Sequence, residues 1–566
     1  MKKRIVALLL AILLAPTAFA DQKALKAKML KDLDALKTLF ETDYAPAEWK
    51  KSFFGWSLQT AINDAKDRVK SCDSMTIKGY HQILRDLFNS MKDYHVGIRF
   101  HSTEKSVLPF QIKGADGRYF FVYLDRDFLP EKSFPFKEGD ELIQFGEIST
   151  GDAVREFRKM LGNNASKTDE ALAEILLTRR SGKAARTVQK GPIMLTIRRK
   201  GTDKLVRHQL IWDYAPEKIN YDVDFVQPDK EARIRGEHRA NFFDKKMMTP
   251  YWTDFNGVDL GENPHLLGSK VGFIPALGEK VWQSSAENSF DAYIYQTEGG
   301  KKIGYLRIPH YDTSDGSAFI KIAYFQELIA RFSDETDALV IDQMNNPGGS
   351  VFYLYAVASM LTDQALLTPR HRMTITQADV FEAYETLPNL EKIKNDEEAV
   401  REMGDSLSGY PVTYQMIRYF IEYCRFIIAE WNAGRTLTHS YYLMGVDAIN
   451  PAPVHYAKPI LLLVNSLDFS GGDFFPAILQ DNKRVTVLGT RTAGAGGYVL
   501  ERKYPNQFGI DFFTVTGSIA ERASQLPIEN LGVAPDIEYE VTAEDLQNNY
   551  ADYVATINRA VADLLQ

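Results

Sequence analysis

Between residues 459 and 482 the chain reads PILLLVNSLDFSGGDFFPAILQDN. An uninterrupted apolar run passes through a short polar turn into Phe474, Phe475, Ile478 and Leu479, which recur at helical spacing. The strand-like IGYLRI (303–308), a helix-favouring run from Ala318 to Phe332 and ALVID (338–342) show the same alternation. Strand, helix and strand in succession imply an α/β core. VTVLG (485–489) continues it, and charged, helix-favouring sequence over 375–435 interrupts it.

Ser470 falls at the turn of the first motif. If Phe474 and its periodic partners face the core, Ser470 and Gly471 stand at a helix N-terminus, where backbone N–H groups lack intrahelical acceptors and can stabilise a developing oxyanion. The plain alternative is that Ser470 is an N-cap. The glycine pair after it would let a substrate carbonyl approach the backbone closely. A second such turn, Asn345-Asn346-Pro347-Gly348-Gly349, follows ALVID and opens the run VFYLYAVASML. It is either a structural bend or a second oxyanion donor. A serine hydroxyl needs a base near neutral pH. His95, in KDYHVGIRF (92–100), lies where a helix-favouring region meets alternating Val96, Ile98 and Phe100, although spacing alone does not select it among ten histidines.

The rest of the 566-residue chain divides by composition. MKKR, an apolar stretch from Ile5 to Ala15 and Ala18-Phe19-Ala20 form a secretory signal over residues 1–20. Its removal takes the formal charge from −8 to −11 with loss of Lys2, Lys3 and Arg4, which excludes a nucleic-acid-binding balance. No later run is apolar enough to span a membrane, so an exported protein, periplasmic or secreted, is expected. Residues 21–105 favour helix and carry His95, residues 106–215 form a β-rich module, and 216–300 read as a loop-rich connector before the core at 301–566. Cys72 and Cys424 are read as buried small hydrophobes in preference to a single bridge. Without CxxC or HExxH no metal site is expected.

KDYHVG, IGYLRI, LVIDQMNNPGG, VNSLDFSGGDFF and VLGTRTAGAGG occur in the order found in the carboxyl-terminal processing (tail-specific) and tricorn-like serine peptidases, which the chain resembles over residues 80–540. The resemblance implies an α/β, multidomain protein with a helical N-terminal region, a PDZ-like β-rich module around FKEGDELIQFGE and a crotonase-like α/β peptidase core. Many tail-specific members place a dyad lysine in TxGKG, where this chain has Thr492-Ala493-Gly494-Ala495-Gly496. Resemblance to the chlamydial branch implies instead a Ser-His-Glu triad: Ser470 as nucleophile, His95 as general base and Glu529, in LPIENLGVAPD, orienting the imidazole. Gly471 with Gly348 or Gly349 would supply the oxyanion hole, and Tyr94 stands where the tricorn pattern has a Ser. The resemblance further implies peptide or protein substrates, no cofactor, a homodimer, and a zymogen blocked by an internal segment within 225–265. An exported peptide-binding protein on an inactive scaffold and a tail-specific peptidase with another base are the alternatives.

Overall fold

Ile460–Val464 and Ala338–Asp342 are neighbouring parallel strands, buried along their whole length, inside a seven-stranded sheet. The computed structural model describes the backbone of residues 2–218, 263–314 and 316–566, and side chains from residue 22 onward. A parallel sheet covered on both faces leaves no side of a strand for polar groups, hence the continuous apolar runs. Alternate residues serve the two faces. Leu339, Ile341, Leu462 and Val464 join the core formed with helices Ala318–Glu335, Val351–Ser359 and Gly471–Asp481. Val340, Leu461 and Leu463 pack towards Tyr553 and Ile557 of helix Ala551–Leu564.

One edge of this sheet corrects the expected connector. Glu279–Gln283 and Ala292–Gln296 are antiparallel strands, the second paired to Lys302–Arg307, so the core begins before residue 301. The edge strand EKVWQ is exposed at most positions, and an edge needs little apolar sequence. Most of the proposed inhibitory segment, 225–262, lies outside the described residues. The insertion is helical: Gln377–Leu390, Asp396–Met403 and Tyr414–Asn432, two of them opened by Thr376 and Thr413 caps.

Residues within 104–219 form a β-sheet built from Phe110–Ala115, Arg118–Leu124, Glu141–Phe145, Pro192–Arg198 and Leu205–Ile211, with helices Thr150–Lys159 and Ser166–Leu177 against it. Its core extends to Leu467 and Phe469, beside Ser470. The N-terminal helices bury Leu36, Phe40, Leu84 and Phe88 with Phe513 and Val515. Strand Gly97–Phe100 then pairs antiparallel with Ile510–Thr516. That pairing fixes where the residues just before Gly97 stand relative to the core. Both cysteines are free thiols. Cys424 is buried, but Cys72, at the end of helix Leu58–Ser71, is only half-buried, which corrects the reading for that residue. Among the described residues no helix is long and apolar enough to cross a membrane.

Candidate active site

The two turns expected to meet do so at the carboxyl ends of adjacent parallel strands, where open α/β sheets bind ligands. Asp468 joins them: its carboxylate accepts from Asn346 N at 2.9 Å and from Asn465 N at 2.9 Å, while Phe469 N donates to Asn346 O at 2.8 Å. Ser470 precedes helix Gly471–Asp481 with φ 55° and ψ −113°. A left-handed backbone on a non-glycine residue costs of order 1–3 kcal/mol and persists only where its surroundings impose it. Here Asp473 N and Phe474 N donate to Ser470 O at 2.8 and 2.9 Å, and Gly472 N donates to Phe469 O at 2.7 Å. The Ser470 side chain caps nothing: its hydroxyl, fully buried, has no hydrogen-bond partner. An N-cap serine spends its oxygen on the helix N–H groups. This one does not.

Gly348 and Gly349 adopt φ +92° and +146°. A Cβ at Gly348 would stand 2.7 Å from Ser470 Cβ, Gly471 N and Phe469 O, so only glycine lets the second turn close on the serine. The Gly348 N–H itself, however, donates to Asn346 Oδ1 at 2.8 Å. The Asn346 side chain folds back on its own turn and occupies the Gly348 N–H, which leaves Gly349 of the two alternatives read from the sequence. No hydrogen bond among the described residues uses the N–H of Gly349 or of Gly471. The Gly349 nitrogen lies 3.3 Å from where a Gly471 Cβ would stand, so these two donors are close together.

His95 sits in the turn between helix Ile77–Asn89 and strand Gly97–Phe100. Its backbone N donates to Asp93 Oδ1 at 2.9 Å, and Asp93 Oδ2 accepts from Tyr44 and Thr516 hydroxyls at 3.1 and 2.9 Å. The imidazole is buried, with neither ring nitrogen hydrogen-bonded. Burial, opposed by Asp93 and with a smaller part from Lys50, lowers its pKa to about 4. A neutral ring suits a proton acceptor. Tyr94 points elsewhere, donating to Asp169 Oδ1 at 2.8 Å with its ring edge-on to Phe469.

Glu529 is fully buried in the turn beyond strand Ser518–Glu521. Its Oε2 accepts from Gly496 N at 3.0 Å and its Oε1 is ion-paired with Lys50. Burial raises the carboxyl to about 8, the Asp93 anion adds to the rise, and Lys50 and the Gly496 N–H oppose it. Since both His95 nitrogens are unpartnered, the serine–imidazole and imidazole–carboxylate hydrogen bonds of an aligned triad are absent from this structure. The Thr492–Gly496 segment, in which the TxGKG pattern would put a lysine at Ala495, here supplies a backbone donor to Glu529, and it is held by Asp473, whose carboxylate accepts from Thr492 Oγ1, Gly494 N and Ala495 N at 2.6, 2.8 and 2.9 Å.

Sequence reasoning missed Lys50, Asp93, Asp468 and Asp473. Asp473, in the first turn of the serine's helix, and Asp93, two residues before the histidine, were the findable ones. Lys50, in AEWKKSFF, has the pattern of a solvated helix charge.

Residues 302–539 match the profile of Peptidase family S41 and residues 104–219 that of a PDZ domain. An uncharacterized protein of Chlamydia muridarum is 35% identical over 572 residues, covering 95% of this chain and 92% of the relative. Mature CPAF complexed with lactacystin has a TM-score of 0.82 at 33% identity, covering 95% of this chain and 99% of that one. A serine-to-alanine mutant of CPAF has a TM-score of 0.85 at 32% identity, covering 95% and 98%.

Proposed function

The chain belongs to peptidase family S41, a serine peptidase with a PDZ domain, and from that premise we propose that it is an exported endopeptidase using Ser470, His95 and Glu529. The observation that carries the assignment is the strained, uncapped Ser470 at a helix N-terminus, pressed against Gly348 and beside the free N–H groups of Gly349 and Gly471. Ser470 Oγ attacks the peptide carbonyl as His95 takes its proton, and the proton passes to the leaving amine. Water then attacks the acyl ester, His95 again accepts the proton, and Ser470 regains it. Glu529 holds the ring tautomer. Oxyanion donors at Gly471 and Gly349 contribute about 3 kcal/mol each. The chemistry needs no cofactor.

Lys50 does not serve as the base of a Ser-Lys dyad, because its ammonium is committed to Glu529, Lys92 O and Asn530 Oδ1 and the serine hydroxyl accepts nothing. The fully buried nucleophile and unaligned imidazole favour a latent form that opens on processing, and CPAF is described as mature in its solved form. We assign the removed segment to 225–265, export to residues 1–20, and a homodimer to the processed enzyme. In the full chain, Ser470→Ala should abolish hydrolysis of labelled casein, covalent fluorophosphonate labelling and any self-cleavage within 225–265. Lactacystin should compete with the label. Persistent labelling of the alanine variant refutes the nucleophile.

A further inference from the structure

Lys50 is the largest unexplained group near the site. It lies in helix Ala47–Phe54, outside both the PDZ domain and the residues matching the peptidase family, and its side chain is fully buried. Lysine is almost never fully buried unless paired. Its ammonium donates to the Lys92 carbonyl at 2.7 Å, to Asn530 Oδ1 at 2.7 Å and to Glu529 Oε1. These acceptors belong to two loops: Lys92 begins the turn that carries His95, and Asn530 follows Glu529. Both Lys92 and Asn530 have left-handed backbones, with φ 51° and 64°, so the loops hold special conformations at the points the ammonium touches. Asn530 Nδ2 closes the link by donating to Lys92 O at 2.7 Å.

We propose that Lys50 is a positioning residue of the reaction, one ammonium that fixes the His95 turn and the Glu529 turn to each other and offsets part of the cost of burying the carboxylate. The proposal rests on the triad reading of His95 and Glu529. A carboxylate has about four lone-pair sites. With Lys50 on one oxygen and Gly496 on the other, Glu529 still has capacity to accept the imidazole N–H when the site aligns. The other groups facing this cluster are Trp49, whose indole N–H donates to Asn530 Oδ1 at 3.0 Å, Tyr44 and Asp93 from the N-terminal region, His95 itself, and Asn164 from the PDZ domain, which accepts from Asn530 Nδ2 at 2.8 Å. None of them is a second cation on Glu529. Burial and Asp93 both push the Glu529 proton on, so the ammonium is the main charge resisting neutralisation.

Lys50→Met and Lys50→Arg in the full chain test this, alongside Glu529→Gln, by kcat/KM on fluorescein-labelled casein across pH and by the rate of fluorophosphonate labelling. Lys50→Met should lose roughly a hundredfold near neutrality and move the acid limb up by about one unit or more, recovering activity at high pH. Lys50→Arg should keep the wild-type limb, whatever its rate. A Met variant whose rate is unchanged, or falls equally at every pH, overturns the proposal. If the Met variant does not fold, the Arg limb decides alone: in place it supports the proposal, displaced it overturns it. Glu529→Gln with wild-type activity breaks the triad reading instead.

Discussion

The proposed nucleophile half of the site and the proposed base half are built differently. Ser470, Gly471, Gly348 and Gly349 come from two turns that follow adjacent parallel strands, and the bonds that strain Ser470 are local to those turns. His95 and Glu529 arrive from opposite ends of the chain, held by Asp93, Lys50 and Gly496, and the imidazole is hydrogen-bonded to neither Ser470 nor Glu529. A sheet makes one half rigid by construction. The other half depends on docking of the N-terminal helices.

The largest effect should come from His95→Ala, a fall of roughly 10⁶-fold in kcat, as large as loss of the serine itself. A variant within tenfold of wild type breaks the comparison, because the base then lies elsewhere. Glu529→Gln should cost roughly 10⁴-fold, since it loses the charge that orients the ring but keeps the nucleophile half intact. Gly348→Ala sharpens the contrast from the other side: the methyl group pushes the two turns apart, and a loss of about 10²–10³-fold in kcat at similar KM is expected from the displaced oxyanion donors. An unchanged kcat would show that the turns tolerate separation.

The smallest effect is on stability. His95 titrates near 4 when folded and near 6.5 when free, so the unfolded chain binds the proton first. Its contribution is complete above pH 6.5 and is lost as pH falls through about 4. His95→Gln should therefore flatten that part of the acid-unfolding curve by at most about 3 kcal/mol, read by denaturant titration at several pH values. An unflattened curve would mean that the imidazole is solvated in the folded protein.

Much of the nucleophile half was legible. Strand, turn and helix at 459–482 and again at 338–359 follow from apolar continuity and helical spacing, which act over a few residues. The edge strand Glu279–Gln283 was not, because exposure removes the apolar signature of a strand. Which of Gly348 and Gly349 keeps a free N–H was not legible, because that depends on the rotamer of Asn346, which no composition rule reports.

By itself the sequence determined that an α/β core would present a serine at a turn between an apolar strand and a helix, with a histidine at a helix-to-strand junction far upstream. These are consequences of periodicity and turn chemistry, which need no distant contact. Only the tertiary structure decided that Lys50 is buried, that it holds Glu529 and the His95 turn together, and that the Gly496 N–H binds the Glu529 carboxylate. Burial of a charge is set by what the rest of the chain packs around it, and a helix written AEWKKSFF looks the same whether its first lysine meets water or a carboxylate.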